Sequence, residues 1–202
     1  MHDSGRPAEL VAADVAAWRG ERLVFRHVSF AVAPGGALLV AGANGSGKST
    51  LLRVLAGLKR PDAGQVLWRG QDPAADPAGH GLQVAYLGHQ DAVKPGLTVA
   101  ENLAFAASGG DCTEALAALD LLPLADLPAR FLSAGQRRRL ALARLVAARR
   151  TLWLLDEPTL GLDAGSVLRL GALLAAHRAE GGVVVAATHL PLPLPDAAEL
   201  QL

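Results

Sequence analysis

The sequence predicts an α/β fold with a mixed central sheet, an N-terminal antiparallel β part and an inserted helical lobe. Three short apolar runs have the composition of buried sheet strands, and they lie at 37–41, 151–155 and 183–187. Strand-like segments between residues 10 and 41 predict the β part, and helix-start signals between residues 98 and 150 predict the lobe. We expect one domain over residues 1–202, with its helical lobe at about residues 91–150.

The first half of the chain alternates strand-like and turn-like segments. Pro34-Gly35-Gly36 marks a turn just before the apolar run at 37–41. Residues 71–81 are rich in Pro, Gly, Ala and Asp, and we expect them to form a loop. The remaining short strands of this half are predicted at 22–25, 28–32, 65–68 and 84–87. A last short strand is predicted near the end of the sequence, at 199–202.

A glycine-rich loop joins the apolar run at 37–41 to the first predicted helix. Its residues, Gly42-Ala43-Asn44-Gly45-Ser46-Gly47-Lys48-Ser49-Thr50, fit the spacing G-x-x-x-x-G-K-[ST] of phosphate-binding loops. Glycines let backbone N–H groups point at phosphate oxygens, and the helix N-terminus adds a favourable dipole. We expect Lys48 to reach the β- and γ-phosphates and the Ser49 hydroxyl to bind Mg²⁺. The flanking strand and helix favour nucleotide binding over the alternative, a glycine-rich turn without a ligand.

Leucine periodicity and capping signals predict the helices. Leu51, Leu55 and Leu58 recur at i, i+4 and i+7 after the glycine-rich loop, and residues 61–64 are expected to end that helix. Asp163 is a candidate N-cap for a later helix. Helix starts of the capping-box type occur at Thr98-x-x-Glu101, Asp111-x-x-Glu114 and Ser133-x-x-Gln136.

The helix predicted after residue 133 has an apolar stripe and many arginines. The stripe consists of Leu142, Leu145 and Val146. The arginines are Arg137, Arg138, Arg139, Arg144, Arg149 and Arg150. We interpret most of these arginines as a solvated face of the helix.

Composition narrows the classes of function. The 19 Lys and Arg balance 19 Asp and Glu, so the formal net charge is zero and nucleic-acid binding is disfavoured. We find no run of 18 or more apolar residues that predicts a membrane span, and residues 1–5 lack the apolar core of a signal peptide. Cys112 is the only cysteine, which fits a reducing cytoplasm and excludes an internal disulfide or a cysteine metal cluster.

Polar residues that suit phosphate chemistry directly follow two of the apolar runs. Asp156 and Glu157 follow the run at 151–155, and His189 follows soon after the run at 183–187. Because α/β proteins bind ligands at the carboxyl ends of their strands, we expect these residues near the glycine-rich loop. Asp156 suits water-mediated coordination of Mg²⁺, Glu157 suits polarisation of an attacking water, and His189 is a candidate γ-phosphate contact. The alternatives are a structural carboxylate pair and a structural histidine.

Together these residues resemble the ATP-binding cassette (ABC) ATPase family over essentially the whole chain. Six motifs of that family occur in its order: Walker A at Gly42 to Thr50, the Q-loop Gln90, the signature motif at Leu132 to Gln136, Walker B at Leu152 to Asp156 with Glu157, the D-loop at Leu160 to Asp163, and the switch His189. Ala134 stands where the commonest signature motif has glycine, and its single methyl group still allows a helix start. Trp18 lies where the family places a base-stacking aromatic residue, although spacing alone favours packing at a sheet edge.

The resemblance implies a P-loop NTPase fold of the ABC cassette type, with ATP and Mg²⁺ as cofactors. Two cassettes would close head to tail, so that Ser133 and Gly135 of one copy contact the ATP held by the other. Further nucleotide contacts are implied for Gln136, Asp163 and Trp18. The implied catalytic residues are Lys48, Glu157 and His189, and the implied magnesium ligands are Ser49, Gln90 and Asp156.

Part of the sequence resembles, within that family, the ATPase subunits of haem exporters for cytochrome c maturation. The similar segments are 86–90, 94–103, Arg19-Gly20-Glu21-Arg22 and the signature motif with Arg137 after it. This resemblance implies a peripheral protein on the cytoplasmic face of the inner membrane, with integral haem-exporter subunits B, C and D as partners. It also implies that ATP hydrolysis drives haem export or release from a haem chaperone. A lone histidine such as His89 is usually structural and does not indicate haem binding by itself.

Two other classes of ABC protein and one binding module are alternatives. An exporter of a lipid, drug or ion would use the same nucleotide chemistry, so only its partner would differ. Soluble ABC ATPases that act on ribosomes or DNA usually carry tandem cassettes or a long coiled-coil insertion, and this sequence has neither. A nucleotide-gated module without turnover is disfavoured because both Glu157 and His189 are present.

Overall fold

The computed structural model describes residues 9–107 and 112–202, which form eight β-strands and six α-helices. The strands are β1 (Leu10–Arg19), β2 (Arg22–Val32), β3 (Ala37–Ala41), β4 (Ala63–Trp68), β5 (Val84–Leu87), β6 (Leu152–Asp156), β7 (Val183–Ala187) and β8 (Ala198–Gln201). The α-helices are α1 (Lys48–Leu55), α2 (Pro77–Gly81), α3 (Val99–Ala106), α4 (Thr113–Ala118), α5 (Ala134–Ala148) and α6 (Ala164–Ala179). Across these residues, no helix is long and apolar enough to span a lipid bilayer.

A five-stranded parallel sheet with the order β5-β6-β7-β3-β8 supports the candidate site. The three apolar runs form its central strands β6, β7 and β3, as predicted. Every residue of β6 and β7 is buried. Asp156 at the end of β6 pairs with Ala187 at the end of β7, so both strands finish at the same edge. The polar residues that follow these strands are therefore neighbours.

Three strands form a separate antiparallel sheet with the order β2-β1-β4. The predicted combination of parallel and antiparallel strands is confirmed, and the two kinds are divided between two sheets. β2 is one strand where two short strands were expected. His27 has a φ of 57°, and the β1–β2 register is irregular between Phe25 and Val28. The chain therefore passes through a bulge at this point without ending the strand.

Alternate residues of β6 pack against different layers of the molecule. Leu152 and Leu154 belong to a cluster with α1 and the antiparallel sheet. Trp153 and Leu155 belong to a second cluster with helices α3 to α6. Full burial of one such side chain contributes roughly 1.5–3 kcal/mol. The parallel sheet is thus the middle of three layers, and its strand ends are held rigidly from both sides.

The first helix is shorter than its leucine periodicity predicts. Leu51 and Leu55 are fully buried, but α1 ends at Leu55, and Leu58 lies beyond it with 67% of its surface exposed. Gly57 has a φ of 72°, which turns the chain away from the helix axis. Part of the segment 61–64, expected to end the helix, instead begins β4.

The expected loop at 71–81 contains the short helix α2. Its N-cap Asp76 accepts a hydrogen bond from the backbone N–H of Gly79 at 2.9 Å. An N-cap aspartate followed by Pro77 is a helix-start signal that the Pro- and Gly-rich composition obscured.

Helices α3, α4 and α5 lie between β5 and β6 in the sequence, and both α3 and α4 pack against α5. The capping boxes at Thr98 and Ser133 are confirmed, with donor–acceptor distances of 2.7–3.2 Å. The N-cap of α4 is Cys112. The capping box predicted at Asp111 falls outside the residues that the structure describes.

The interpretation of the α5 arginines as a mostly solvated face is wrong. Arg149 is exposed, whereas Arg138 is buried and the other four are half-buried. The guanidinium groups donate to backbone carbonyls of neighbouring segments: Arg137 to Leu132, Arg139 to Leu119, Arg144 to Ala92 and Arg150 to Leu82. These side chains therefore tie α5 to the surrounding loops while their stems cover apolar surface.

Candidate nucleotide-binding site

The glycine-rich loop curls between the end of β3 and the start of α1. Gly47 is the N-cap of α1 with a φ of 108°, a conformation that favours glycine. A Cβ atom at Gly47 would lie 2.5 Å from Cγ1 of Val24, so the packing also excludes a side chain there. Among the residues described, the buried hydroxyl of Ser46 has no hydrogen-bond partner. The loop thus offers a narrow backbone cradle and an unused hydroxyl group, as a phosphate site requires.

Lys48 begins α1, and its side chain folds back over the loop. Lys48 is 7% exposed, and its Nζ donates to the carbonyl oxygens of Gly42 at 2.7 Å and Ala43 at 3.0 Å. An ammonium group has three donors, so one remains for a phosphate oxygen. Lys48 therefore both fixes the loop and presents positive charge to it.

The residues that follow β6 and β7 contact each other directly. Asp156 is buried at the end of β6. The Glu157 carboxylate accepts a hydrogen bond from the Thr188 hydroxyl at 2.9 Å and lies 2.8 Å from Nδ1 of His189. The Glu157 side chain is 12% exposed, whereas that of His189 is 52% exposed. Glu157 is thus held between two side chains, and His189 remains open to a ligand.

A cavity of about 460 Å³ connects these groups, within the range of roughly 300–1,000 Å³ typical of small-molecule sites. The predicted site residues that line it are Asn44, Gly45, Gly47, Lys48, Ser49, Thr50, Asp156, Glu157 and His189. Gly42 and Ser46 belong to the same loop but do not line the cavity. The structure therefore brings the phosphate loop, the acidic pair and the histidine together from three separate segments.

Two other predicted contacts lie beside this cavity and do not line it. Trp18, at 44% exposure, is not among its lining residues. His89 lines the cavity, but Gln90 lines a neighbouring groove of about 670 Å³ between β5 and α5. The structure does not bring Gln90 to the other predicted magnesium ligands, and its metal role stays a prediction.

Ser133, Gly135 and Gln136 of the signature motif and Asp163 of the D-loop are also outside the cavity, although Leu160 of the D-loop lines it. Ser133 and Gln136 form the capping box of α5, in which Gly135 lies in the first turn. Asp163 caps α6 by accepting from the backbone N–H of Ser166 at 2.7 Å. Hydrogen bonds from the backbone and then the side chain of Ser166 lower the pKa of Asp163. The structure confirms the capping roles of these residues, and their contacts to nucleotide stay predictions.

Tyr86 adds a neutral hydroxyl near the buried Asp156. Burial raises the pKa of the Tyr86 hydroxyl, and the Asp156 carboxylate raises it further. A hydrogen bond with Arg53 opposes this shift. The Tyr86 hydroxyl therefore stays protonated at this strand end.

The described residues contain no cluster of three or more His, Cys, Asp or Glu that could hold a metal by themselves. Mg²⁺ in nucleotide sites needs only one or two protein oxygens, because phosphates and waters supply the rest. Asp156 and the Ser49 hydroxyl line the same cavity, so the donor set fits such an ion.

Sequence reasoning missed several residues of the site. Arg19 and Arg22 line the cavity, and neither guanidinium group has a hydrogen bond or ion pair with any residue that the structure describes. The sequence analysis used both residues only for the resemblance to haem-exporter subunits, although they lie next to the base-stacking candidate Trp18 and flank the turn between β1 and β2. Arg138 was missed because nothing in a basic helix shows which arginine is buried.

Known proteins are similar to this chain over most of its length. The family model described as "ABC transporter" matches residues 25–160. The cytochrome c biogenesis ATP-binding export protein CcmA of Rhodospirillum rubrum is 53% identical, over 97% of this chain and 86% of that protein. The protein of the same name from Gluconobacter oxydans is 51% identical, over 94% of this chain and 85% of that protein.

Solved structures give the same fold. The ATP-binding subunit of an ABC transporter aligns with a TM-score of 0.82 and 25% identity, over 90% of this chain and 80% of that one. A dimeric ATP-binding cassette in a post-hydrolysis state, bound to ADP and Pi, aligns with a TM-score of 0.83 and 24% identity, over 96% of this chain and 94% of that one. The chain therefore belongs to the ABC transporter family, as a nucleotide-binding cassette that resembles the CcmA proteins.

Proposed function

We propose that this chain is the ATP-hydrolysing subunit of an ABC complex for cytochrome c maturation, where hydrolysis is coupled to haem export or to haem release from its chaperone. One observation carries the enzymatic part: Lys48, Asp156 and Glu157 line a single cavity with the phosphate loop. The names of relatives about half identical to this chain support the biological part. Residues 1–202 would form one ATP-binding domain, with residues 91–150 as its helical lobe.

ATP fits the cradle through its phosphates. The loop between β3 and α1 supplies backbone N–H groups, and Lys48 at the start of α1 supplies its ammonium group. Ser49 and Asp156 would hold Mg²⁺, Asp156 through water. The ion, when bound, neutralises charge on the phosphate oxygens.

Glu157 is the residue best placed to polarise the attacking water. One of its oxygens accepts the Thr188 hydroxyl and the other lies against the His189 ring, so the carboxylate is oriented before substrate arrives. His189, half exposed at the cavity, would contact the γ-phosphate. Positioned groups of this kind supply most of the acceleration in phosphoryl transfer.

A second copy of the chain would complete the site. Ser133, at the N-terminus of the 15-residue helix α5, is exposed and does not line the cavity of its own chain. Its helix presents free backbone N–H groups, which suit a phosphate of the other copy. Ala134 is the first residue of α5, so its methyl group is compatible with this geometry.

The membrane partner would dock in the groove between β5 and α5. Gln90 and Asp91 line this groove beside Arg144 and Arg150. Because the same segment carries His89 into the nucleotide cavity, a partner there would sense the nucleotide. We propose haem-exporter subunits B, C and D as the membrane partners and the cytoplasmic face of the inner membrane as the location.

Deletion of the gene is expected to abolish covalent haem staining of c-type cytochromes in membrane fractions. Wild-type chain should restore the staining, and Glu157→Gln should not, because export would require turnover. Immunoblots of both forms control for expression. Unchanged staining in the deletion strain would refute the haem assignment while leaving the ATPase assignment intact.

Arg19 and Arg22 are proposed to bind the nucleotide base in place of Trp18. Both guanidinium groups are unpaired among the described residues and line the cavity, which Trp18 does not. Guanidinium groups stack on aromatic faces, at about 0.5–1 kcal/mol each when exposed. Arg19→Ala combined with Arg22→Ala is therefore expected to weaken ATP binding about 5- to 30-fold.

Displacement of a fluorescent nucleotide by ATP and by inorganic tripolyphosphate measures this effect. The double variant should bind tripolyphosphate as wild type does, because only the base contact is lost. Equal weakening for both competitors would instead assign the arginines to phosphate. Trp18→Ala is the matched control. If ATP affinity falls only in that variant, the base contact is assigned to Trp18 and not to the arginines.

A further inference from the structure

Arg138 is the most deeply buried charged side chain of the helical lobe that the structure describes. Its side chain is 5% exposed, although it carries a permanent positive charge. A buried arginine is rare unless it is paired, because loss of hydration is costly. Arg138 does not line the nucleotide cavity. Its burial therefore requires partners elsewhere, and these partners indicate its role.

One end of the guanidinium group holds the backbone around Glu157. Nη2 of Arg138 donates to the carbonyl oxygen of Asp156 at 3.0 Å and to that of Glu157 at 2.6 Å. These two carbonyls belong to the peptide groups on either side of the Glu157 Cα atom. Arg138 therefore fixes both peptide planes that set the direction of the Glu157 side chain.

The Glu157 backbone is in a conformation that needs such support. Its φ is 48°, in the left-handed region that is strained for a residue other than glycine. The backbone N–H of Glu157 donates to the carbonyl oxygen of Ala187 at 2.8 Å. Because Arg138 donates to the Glu157 carbonyl oxygen, hydrogen bonds hold both the N–H and the C=O group of Glu157.

The other end of the guanidinium group contacts the segment beside Gln90. Nη1 of Arg138 donates to Oδ1 of Asp91 at 2.8 Å, and the Asp91 side chain is 29% exposed in the groove. One side chain thus joins α5, the groove proposed for the membrane partner and the backbone of the proposed catalytic glutamate. The neighbouring Arg139 and Arg144 donate to other loops and not to the end of β6.

We infer that Arg138 is a positioning residue for Glu157. It acts through the backbone carbonyls of Asp156 and Glu157, and its ion pair with Asp91 makes this positioning dependent on the groove. This inference rests on the proposed role of Glu157 in ATP hydrolysis. Displacement of a catalytic group by about 1 Å can cost about 100-fold in rate, so loss of Arg138 should affect turnover more than nucleotide binding.

The test is steady-state ATP hydrolysis by the full chain carrying Arg138→Met or Arg138→Lys, with ATP affinity and melting temperature measured in parallel. Arg138→Met should lower kcat about 10- to 100-fold and change ATP affinity less than about threefold. Arg138→Lys should recover part of kcat, because lysine keeps the charge but its single nitrogen cannot replace both Nη1, which contacts Asp91, and Nη2, which contacts the two carbonyls. Arg178→Met is the matched control, since Arg178 also bridges two carbonyls, those of Gly35 and Pro195, away from Glu157. Its kcat should be unchanged even if its melting temperature falls.

A double variant separates positioning from a merely structural effect. In a Glu157→Gln background, Arg138→Met should lower the residual rate less than about twofold, because the group it positions has gone. Full additivity of the two losses, or a normal kcat in folded Arg138→Met, would overturn the inference. If Arg138→Met does not fold, Arg138→Lys and Asp91→Asn take its place. Each should lower kcat by less than Arg138→Met would, and its loss should not add to that of Glu157→Gln. If Glu157→Gln hydrolyses ATP normally, the proposed role of Glu157 fails and this inference fails with it. A slow Glu157→Gln beside a normal Arg138→Met overturns the inference alone.

Discussion

Glu157→Gln is expected to lower ATP turnover about 10²- to 10⁴-fold while ATP affinity stays within about twofold of wild type. Glutamine has nearly the same shape and can keep the contacts with Thr188 and His189. Its amide cannot accept a proton from water, so the contribution of a positioned base is lost. Phosphate release measures turnover, and titration with a fluorescent nucleotide measures affinity.

Glu199→Gln is the matched control for this experiment. Glu199 is an exposed residue of β8 in the same parallel sheet and does not line the cavity. Its variant should hydrolyse ATP at the wild-type rate. Turnover by Glu157→Gln within about threefold of wild type would contradict the assignment of Glu157 and direct attention to His189.

Lys48→Met is expected to weaken ATP binding by about 100-fold or more. The ammonium group holds two carbonyls of the loop and has one donor left for phosphate. Hydrogen bonds to charged groups contribute about 1.5–3 kcal/mol each, and every 1.4 kcal/mol changes affinity tenfold. Loss of the phosphate contact together with loosening of the loop therefore exceeds about 3 kcal/mol. Equilibrium titration with a fluorescent ATP analogue measures the change.

Lys59→Met is the control that tests whether loss of a lysine outside the cavity also weakens ATP binding. The Lys59 ammonium pairs with Asp62 on the surface and does not line the cavity. Its variant should bind ATP as wild type does. Circular dichroism on Lys48→Met checks that the variant remains folded, and wild-type affinity in that folded variant would refute the role of Lys48.

The parts of the site that depend on local sequence were predictable. The phosphate loop and the polar residues after β6 and β7 follow from spacing and from apolar runs. Strand pairing places those strand ends together at one edge, so a short-range pattern predicted a long-range contact. The capping box at Ser133 was equally local, because donor and acceptor are three residues apart.

The errors arose where tertiary contacts override local patterns. Leu58 continues the leucine periodicity of α1, but the left-handed conformation of Gly57 turns the chain, so the Leu58 side chain is exposed and does not join the core. Successive residues of a strand point to opposite faces, so Arg19 can line the cavity when its neighbour Trp18 does not. Arg138 is buried through acceptors on two distant segments, which no property of its own helix reveals.

The order of strands in the parallel sheet also sets when the nucleotide site can form during synthesis. β3, which carries the phosphate loop, pairs with β7 on one side and β8 on the other. Both neighbours are made long after β3, at residues 183–187 and 198–201. Translation proceeds at about 5–20 residues per second, so roughly ten to thirty seconds pass between the synthesis of β3 and that of its two partner strands. A nascent chain therefore has both edges of β3 unpaired while residues 42–182 are made, and the sheet around the phosphate loop is complete only once residue 201 is available.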